Sequence, residues 1–580
     1  GREKTNLDVN NWINEIQSKG CGEILLTSID KEGNTGLQGL MMDQPLLISS
    51  LIEFGARNYP HTEIVSRSVE GPMHRYDLSQ SRIRARKMAK ALCRLNVVPG
   101  DRIATIAWNT YRHFELYFAI SGIGAICHTI NPRLFKDQLI YIINHSKDKY
   151  IFLDLTFLPL IESLGTDISE VTNCIVMTDQ SHMPESSLSN LLCYEELLDQ
   201  ENTDYEWPSF DELTASSLCY TSGTTGNPKG VLYNHRSTVL HTLMLAHAEG
   251  PALSSHSSFM AVVPMFHVNA WGTPYGCAMT GAKLVLPGTH YEGDMIFELL
   301  DNENVDITAG VPTIWFLLLT EMRKRRRKPR SLKTIIVGGS AFPTAMIKAF
   351  EDEFSINVYH AWGMTELSPI GTNGRLLKSM YDLPKDKQWE IKSKQGRSVY
   401  GVDKKIVDEH GVELPQDGIA FGELLVRGLY TASAYYNDAK ASLESFTADG
   451  WFRTGDVASI DINGIMQIVD RKKDVIKSAG EWISSIDLEN AAMAHPSIAE
   501  AAVIGVPHPK WDERPLLIVV AAKGEKPTFE LINSFLLNFV AKWWLPNDMI
   551  ILDRLPHTAT GKVSKLALRA QFETYSFPDK

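Results

Sequence analysis

Tyr220-Thr221-Ser222-Gly223-Thr224-Thr225-Gly226-Asn227-Pro228-Lys229-Gly230 begins at the end of one short apolar run, Ser217-Leu218-Cys219-Tyr220, and leads into another, Val231-Leu232-Tyr233. Glycines at 223, 226 and 230 let the backbone turn tightly and bring N–H groups close to an anion. The hydroxyls of Thr221, Ser222, Thr224 and Thr225 can donate to phosphate oxygens, and Lys229 adds a point charge. The residue types are those of a loop that holds a polyphosphate. The loop differs from the G-x-x-x-x-G-K-[ST] pattern, which runs straight into a helix. Here Gly230 and a second strand-like run follow Lys229, so the order is strand–loop–strand. A helix is expected only over 238–246, with Ser237 as its cap.

Bulk properties narrow the rest. A chain of 580 residues is too long for one core, so two or more domains are expected. The formal net charge of −12 argues against a nucleic-acid binder. The one dense basic run, Arg323-Lys324-Arg325-Arg326-Arg327-Lys328, follows an apolar helix-like segment and precedes Pro329, so it reads as a solvated helix end. Seven scattered cysteines with no C-x-x-C pair fit a reducing compartment and no structural zinc. No apolar run approaches the ~18 residues of a membrane span, and no signal peptide is visible. The first residue is not Met, from which a missing native start is expected.

From Met42 onward, helix-like patterns over 45–56, 82–95 and 112–123 alternate with strand-like runs over 101–107, 150–154, 174–178 and 283–286. That alternation argues for α/β layers. The polar stretch 181–202 is expected at the surface. Strands over 501–506, 516–521 and 549–552 and helices over 529–541 and 563–572 outline a separate small α+β unit near the C-terminus.

Six further strings carry chemistry. Val262-Val263-Pro264-Met265-Phe266-His267-Val268-Asn269-Ala270-Trp271-Gly272 sets one histidine among apolar residues. Thr334-Ile335-Ile336-Val337-Gly338-Gly339-Ser340-Ala341 is a strand ending in a glycine turn, which permits close approach to a flat ring. Val358-Tyr359-His360-Ala361-Trp362-Gly363-Met364-Thr365-Glu366 offers an aromatic ring, a hydroxyl and a carboxylate in succession. Trp451-Phe452-Arg453-Thr454-Gly455-Asp456, Asp470-Arg471-Lys472-Lys473-Asp474 and Pro556-His557-Thr558-Ala559-Thr560-Gly561-Lys562 complete the set.

With the opening loop, these strings resemble, in family order, the motifs of the adenylate-forming superfamily: acyl-CoA synthetases, amino-acid-activating domains and luciferases. The resemblance covers about residues 44 to 572. It implies that Lys229 and the 221–226 loop hold the leaving pyrophosphate, and that Glu366, with Thr221, binds Mg²⁺. It further implies that Thr365 donates to the α-phosphate, that Trp362 with Gly363 and the Gly338-Gly339-Ser340 turn takes adenine, and that Asp456 and Arg471 take the ribose. His267 approaches the reacting carboxylate, Trp271 lines the acyl pocket, and Lys562 sits at the α-phosphate. Lys473 stands at the family's pivot, and the small-residue loop with Ser478, Gly480 and Trp482 borders the path of the pantetheine arm.

The expected fold is α/β: a large domain over 38–470 of layered sheets and helices, and a small mobile α+β domain over 471–580. The expected activity is that of an ATP-dependent acid–CoA ligase using ATP, Mg²⁺ and coenzyme A, with no nucleic-acid partner, no integral membrane segment and a cytoplasmic location; a homodimer stays open. Within the superfamily the fatty-acid–CoA ligases match best, through 476–485 and Gly505-Val506-Pro507-His508-Pro509-Lys510-Trp511-Asp512-Glu513-Arg514-Pro515. Leu46-Leu47-Ile48-Ser49-Ser50 and His128-Thr129-Ile130-Asn131-Pro132-Arg133-Leu134 resemble the 3-methylmercaptopropionate–CoA ligases most closely. The acid is therefore expected to be that one or a short- to medium-chain fatty acid. Aryl- or amino-acid-activating enzymes and longer-chain ligases are the alternatives. Residues 1–37 stand apart. Gly20-Cys21-Gly22-Glu23-Ile24-Leu25-Leu26-Thr27-Ser28-Ile29-Asp30-Lys31-Glu32-Gly33 resembles one unit of the imidazole glycerol phosphate synthase cyclase barrel. One βα unit cannot close a barrel, so no activity is carried over.

Overall fold

The structure, a computed structural model, describes residues 44–189, 191–221, 227–478, 481–557 and 563–578, without the side chains of 481 and 482. The chain divides into two compact units, Gly1–Pro45 and Leu46–Lys580, and the second holds all the described helices and strands. The tail expected to be a barrel fragment lies outside the described residues.

Two large sheets form the main body. The seven-stranded sheet runs, edge to edge, through Leu191–Cys193, Asn173–Val176, Asp148–Leu153, Arg102–Ile106, Ile126–Thr129, Ala215–Tyr220 and Gly230–Asn234. Its strands pair in parallel except for the last two, which are antiparallel with Tyr220 opposite Gly230. The strand–loop–strand reading of the opening stretch therefore holds, and its loop leaves the carboxyl end of an inner strand. The nine-stranded sheet is parallel through Glu63–Arg67, Lys283–Leu286, Ser258–Ala261, Ile307–Gly310, Thr334–Val337 and Asn357–Gly363, with antiparallel strands at both edges. Helices cover these strands because parallel strands need crossovers and bury both faces.

Local sequence explains the covering helices. Leu78–Arg94 buries Leu78, Ser81, Ala85, Met88, Ala89 and Leu92, a stripe of helical period, and Asp77 and Gln80 close a reciprocal cap at its start. Every residue of Tyr111–Gly122 is buried. Its charges survive burial because they are paired: Glu115 accepts from Arg84 at 2.7 Å and from the Tyr194 hydroxyl at 2.7 Å, and Arg112 reaches Glu195 and Glu70 at 2.7 Å each.

Beyond residue 400 two smaller sheets follow. One is the antiparallel four-stranded sheet of Val402–Val407, Phe421–Gly428, Phe452–Ile460 and Met466–Arg471. The other, Ile476–Ser478, Glu481–Ile483, Ile498–His508, Asp512–Ala521 and Asp548–Ile551, has apolar clusters of its own around Leu517 and Leu516. The α/β class and the large-plus-small division match the expectation. Among the described residues no helix is long and apolar enough to cross a membrane.

Four local expectations need correction. The helix after the phosphate loop is His235–Ala246, capped by Asn234, whose side chain accepts from the Ser237 N–H at 2.7 Å; Ser237 closes the cap from the third helical position. The polar stretch 181–202 is not all surface, because Leu191–Cys193 is a sheet edge and Tyr194 is fully buried. Its acidic residues hid this, since Glu195 is satisfied by Arg84 and Arg112 rather than by water. The segment after Lys477 is a hairpin, Ile476–Ser478 against Glu481–Ile483, not a loop. The helix expected over 529–541 ends at Leu536. The basic run does end a helix, Pro312–Arg325, but its arginines are paired: Arg323 with Glu353, Arg325 with Glu321 and Glu298, and Arg327 with Asp301.

Candidate active site

The neck of the phosphate loop is closed by a pair of bonds. The Thr221 N–H donates to the Lys229 carbonyl at 2.9 Å, and the Lys229 N–H donates to Thr221 Oγ1 at 3.3 Å. Residues 222–226, with Ser222, Gly223, Thr224, Thr225 and Gly226, lie outside the described residues. Lys229 Nζ stands 4.8 Å from the centroid of the Tyr435 ring. The hydroxyl of that tyrosine donates to Glu366 Oε1 at 2.6 Å. Tyr233, on the strand after the loop, donates to the Thr365 carbonyl at 2.6 Å, and the Ala432 N–H donates to the Glu366 carbonyl at 2.7 Å. Loop neck, Thr365–Glu366 turn and 432–435 segment are thus one bonded assembly.

Glu366 is only 5% exposed. Burial pushes its carboxyl above the usual carboxylate range, while the Tyr435 hydroxyl, Arg471 and Lys229 pull it back. A buried carboxylate short of positive charge suits a cation. Among the described residues no three His, Cys, Asp or Glu side chains gather as a metal site. That donor set fits Mg²⁺, which takes one or two protein oxygens and completes its shell with phosphate and water.

A second assembly adjoins the first. Trp362, 9% exposed, donates its indole N–H to Asp456 Oδ2 at 2.9 Å, and Arg471 Nε lies 2.8 Å from Asp456 Oδ1. Asp456 itself is 2% exposed. The Trp362 ring packs where a Cβ on Gly371 would come within 2.6 Å of Cζ3, so only glycine fits at 371. The tryptophan expected to face adenine is also a hydrogen-bond donor to Asp456, the carboxylate expected at the ribose, which its sequence position did not reveal.

The third assembly is apolar. His267 is half-buried, and residues 268–272 after it all have positive φ, from 46° at Val268 to 72° at Gly272. L-residues occupy this region singly, at roughly 1–2 kcal/mol each, and a run of four non-glycine residues persists only when its surroundings dictate it. Trp271 leaves this turn to meet Gly338, where a Cβ would fall 2.8 Å from Cη2. Gly339, at φ +89°, completes the turn of the expected adenine site, and Ser340 follows.

The expected residues are not all gathered here. Ser478 is 3% exposed and its hydroxyl accepts from Arg514 Nη1 at 3.1 Å, so it faces the interior of the small unit. Lys473 lies in the turn after Met466–Arg471. Gly480, Lys562 and the Trp482 side chain lie outside the described residues. Tyr233 and Tyr435, which join the loop to Thr365 and Glu366, were missed. Their only sequence signal is an aromatic ring beside a polar motif, which many surface loops share.

Trp362→Phe tests the indole–carboxylate bond. It leaves an aromatic side chain but removes part of the indole along with its N–H, and the lost bond to a charged acceptor is worth about 1.5–3 kcal/mol. Because Arg471 still holds Asp456, the lower figure applies, and the KM for ATP is expected to rise about tenfold with little change in the KM for the acid. An unchanged ATP KM would mean that Arg471 suffices.

The chain matches the family model described as AMP-binding enzyme over residues 52–436, and that described as AMP-binding enzyme C-terminal domain over residues 487–562. Both lie downstream of residues 1–37, and neither supports the barrel resemblance of that stretch. The chain is 49% identical over 535 residues to a 3-methylmercaptopropionyl-CoA ligase of Ruegeria lacuscaerulensis, covering 92% of this chain and 99% of that one. It is 47% identical over 534 residues to a medium-chain-fatty-acid–CoA ligase of Ectopseudomonas oleovorans, covering 92% and 97%. Its fold is that of the crystal structure of the anthranilate CoA ligase AuaEII in complex with anthranoyl-AMP, at a TM-score of 0.80 and 23% identity, over 92% of this chain and 98% of that one.

Proposed function

Because the chain belongs to the AMP-binding enzyme family and is an AMP-forming acyl-CoA ligase that uses ATP and coenzyme A, we propose that its acid is 3-methylmercaptopropionate or a short- to medium-chain fatty acid. Support for the acid comes from the two relatives near half identity, one named for each class. In the first half-reaction a carboxylate oxygen attacks the α-phosphorus of ATP, and pyrophosphate leaves. In the second the thiol of coenzyme A attacks the acyl carbon, and AMP leaves.

The chemistry needs placed charge more than covalent help. Lys229 and the 221–226 loop hold the departing pyrophosphate. Glu366 and Thr221 hold Mg²⁺, which when bound screens the phosphate charge. Thr365 donates to the α-phosphate, and Lys562 neutralises it together with the attacking carboxylate. Gly338, Gly339, Ser340, Trp362 and Gly363 frame adenine, and Asp456 and Arg471 take the ribose. His267 faces the acid. Ser478, Gly480 and Trp482 border the pantetheine arm, and Lys473 is the pivot between a large domain over 38–470 and a small one over 471–580. The single observation that supports this reading is the joining of Lys229 to Glu366 through Tyr435, a cation and a carboxylate of the kinds that pyrophosphate and Mg²⁺ need.

An amino-acid-activating enzyme would carry a carboxylate within 267–271 to meet the amine. The polar residue there, Asn269, instead donates its amide to Ser217 at 3.0 Å. We place the enzyme in the cytoplasm, as a monomer or homodimer to be separated by light scattering.

A panel of acids with ATP, Mg²⁺ and coenzyme A, with pyrophosphate and thioester read separately, tests the whole reading. Thioester is expected from 3-methylmercaptopropionate and from fatty acids of short to medium length. Pyrophosphate without thioester would favour an adenylating enzyme that hands its product to another acceptor, and thioester from aryl acids alone would move the substrate class.

A further inference from the structure

The left-handed turn at 268–272 is held from within by the Asn269 side chain, while the Thr273 hydroxyl donates to the Ala270 carbonyl at 2.8 Å. Asn269 is 5% exposed, and its amide nitrogen donates to Ser217 Oγ at 3.0 Å. Its Oδ1 accepts from Thr129 Oγ1 at 3.5 Å and from Cys219 Sγ at 3.6 Å. Ser217 and Cys219 lie on Ala215–Tyr220, the strand that runs into the phosphate loop, and Thr129 lies on its parallel neighbour. The amide therefore ties the turn to the same strand that positions Thr221. On its other flank the turn rests on the helix His235–Ala246, because Gly272, at φ +72°, sits where a Cβ would approach His241 Nδ1 to 2.8 Å.

We propose that Asn269 is a positioning residue that sets which acids the enzyme accepts, by pinning the turn that aims Trp271; the proposal rests on the acyl-CoA ligase reading above. Trp271 is itself left-handed, at φ 56°, so no regular helix fixes its direction. Its indole edge closes on Gly338, the first glycine of the turn proposed to frame adenine, while its surroundings belong to the main apolar core. Any release of the turn moves this wall relative to Gly338 and changes the length and width of the space an acyl chain can enter. The ribose groups Asp456 and Arg471 lie on other elements, and Thr221 is fastened separately by its bonds to Lys229, so both stay in place. Asparagine suits both demands made at 269, since it tolerates positive φ better than most residues and carries a donor and an acceptor on a short stem.

The test uses the full chain with Asn269→Ala, Asn269→Gly and Ser217→Ala. For each, kcat/KM is measured for straight-chain acids of increasing length and for 3-methylmercaptopropionate, with the KM for ATP and a thermal melt alongside. Release of the wall is expected to raise the ratio of long-acid to short-acid kcat/KM by about tenfold in both Asn269 variants, the scale of one methylene in an apolar pocket. Ser217→Ala should shift the ratio the same way by less, and the KM for ATP should stay within about twofold. A uniform fall for all acids overturns the proposal, because a merely structural residue lowers every substrate alike. So does a wild-type profile in Asn269→Gly, which would show that a permissive backbone suffices without the amide. Should both Asn269 variants fail to fold, Ser217→Ala decides: an unshifted ratio overturns the proposal. If the unmutated chain releases pyrophosphate without forming thioester, the ligase reading falls, yet the same ratios read as pyrophosphate release still judge Asn269.

Discussion

Replacing Lys562 by alanine is expected to slow adenylate formation by about 10²–10³-fold, the scale for removing one preorganised charge from a reacting centre. Thioester formation from supplied acyl-adenylate should largely persist. The segment that carries Lys562 is held at its neck: His557 bridges to Val563, and the Ser564 N–H donates to the Pro556 carbonyl at 2.7 Å. Lys565, three residues on, is fastened to Glu489 at 2.8 Å and to Ser485 at 2.5 Å. A thermal melt that matches the unmutated protein would show that the loss reports on the ammonium itself. Rapid-quench measurement of pyrophosphate, beside a thioester assay begun from the adenylate, separates the steps. Equal losses in both would make Lys562 a structural residue or one that serves both halves.

Lys473→Pro should show the reverse pattern, with pyrophosphate release in a single turnover kept and thioester formation lost. The residues around the proposed pivot are bracketed by two held aspartates. Asp470, fully buried, accepts from the Ser485 N–H at 2.7 Å and from its hydroxyl at 2.5 Å, and Asp474 accepts from Arg569 Nη2 at 2.6 Å. Both partners, Ser485 and Arg569, belong to the 471–580 stretch, so a rotation at 471–473 has to release Asp470 from Ser485 and be absorbed by a few residues. Proline at 473 fixes φ near −65° and narrows the range of Lys472. Both half-reactions are measured on one preparation whose melt matches the unmutated protein. Thioester formed at the original rate would put the pivot elsewhere, and a loss of both steps would show that proline traps the other orientation.

What the sequence revealed follows from the range of the interactions involved. The hairpin around the phosphate loop was legible because Gly223, Gly226 and Gly230 and the flanking apolar runs are local signals. So were most of Leu78–Arg94, expected over 82–95 from its helical period, and Lys283–Leu286, a short continuous apolar run. Tyr194 and its neighbours were not legible, since their acidic residues look solvated until Arg84 and Arg112 arrive from helices about a hundred residues earlier in the chain. The left-handed turn at 268–272 was equally hidden. Val268, Ala270 and Trp271 have no local preference for positive φ, and partners remote in sequence, Ser217, Cys219, Thr129 and His241, help explain it. Within the site, residues that touch a small molecule leave motifs, whereas residues such as Tyr435 that touch only other residues do not.

The bond from Trp362 to Asp456 bears on how nucleotides are told apart in a mixed cellular pool. An ionised carboxylate offers about four lone-pair directions, two on each oxygen. Trp362 takes one on Oδ2 and Arg471 one on Oδ1, leaving one on each, the complement of a cis-diol. A deoxyribose brings a single hydroxyl and strands one buried acceptor, at about 1–3 kcal/mol. With Asp456 in its proposed place at the ribose, dATP is expected to be used less readily than ATP because of what the protein has already spent on the carboxylate before any sugar arrives, and the indole N–H would count hydroxyls it never touches.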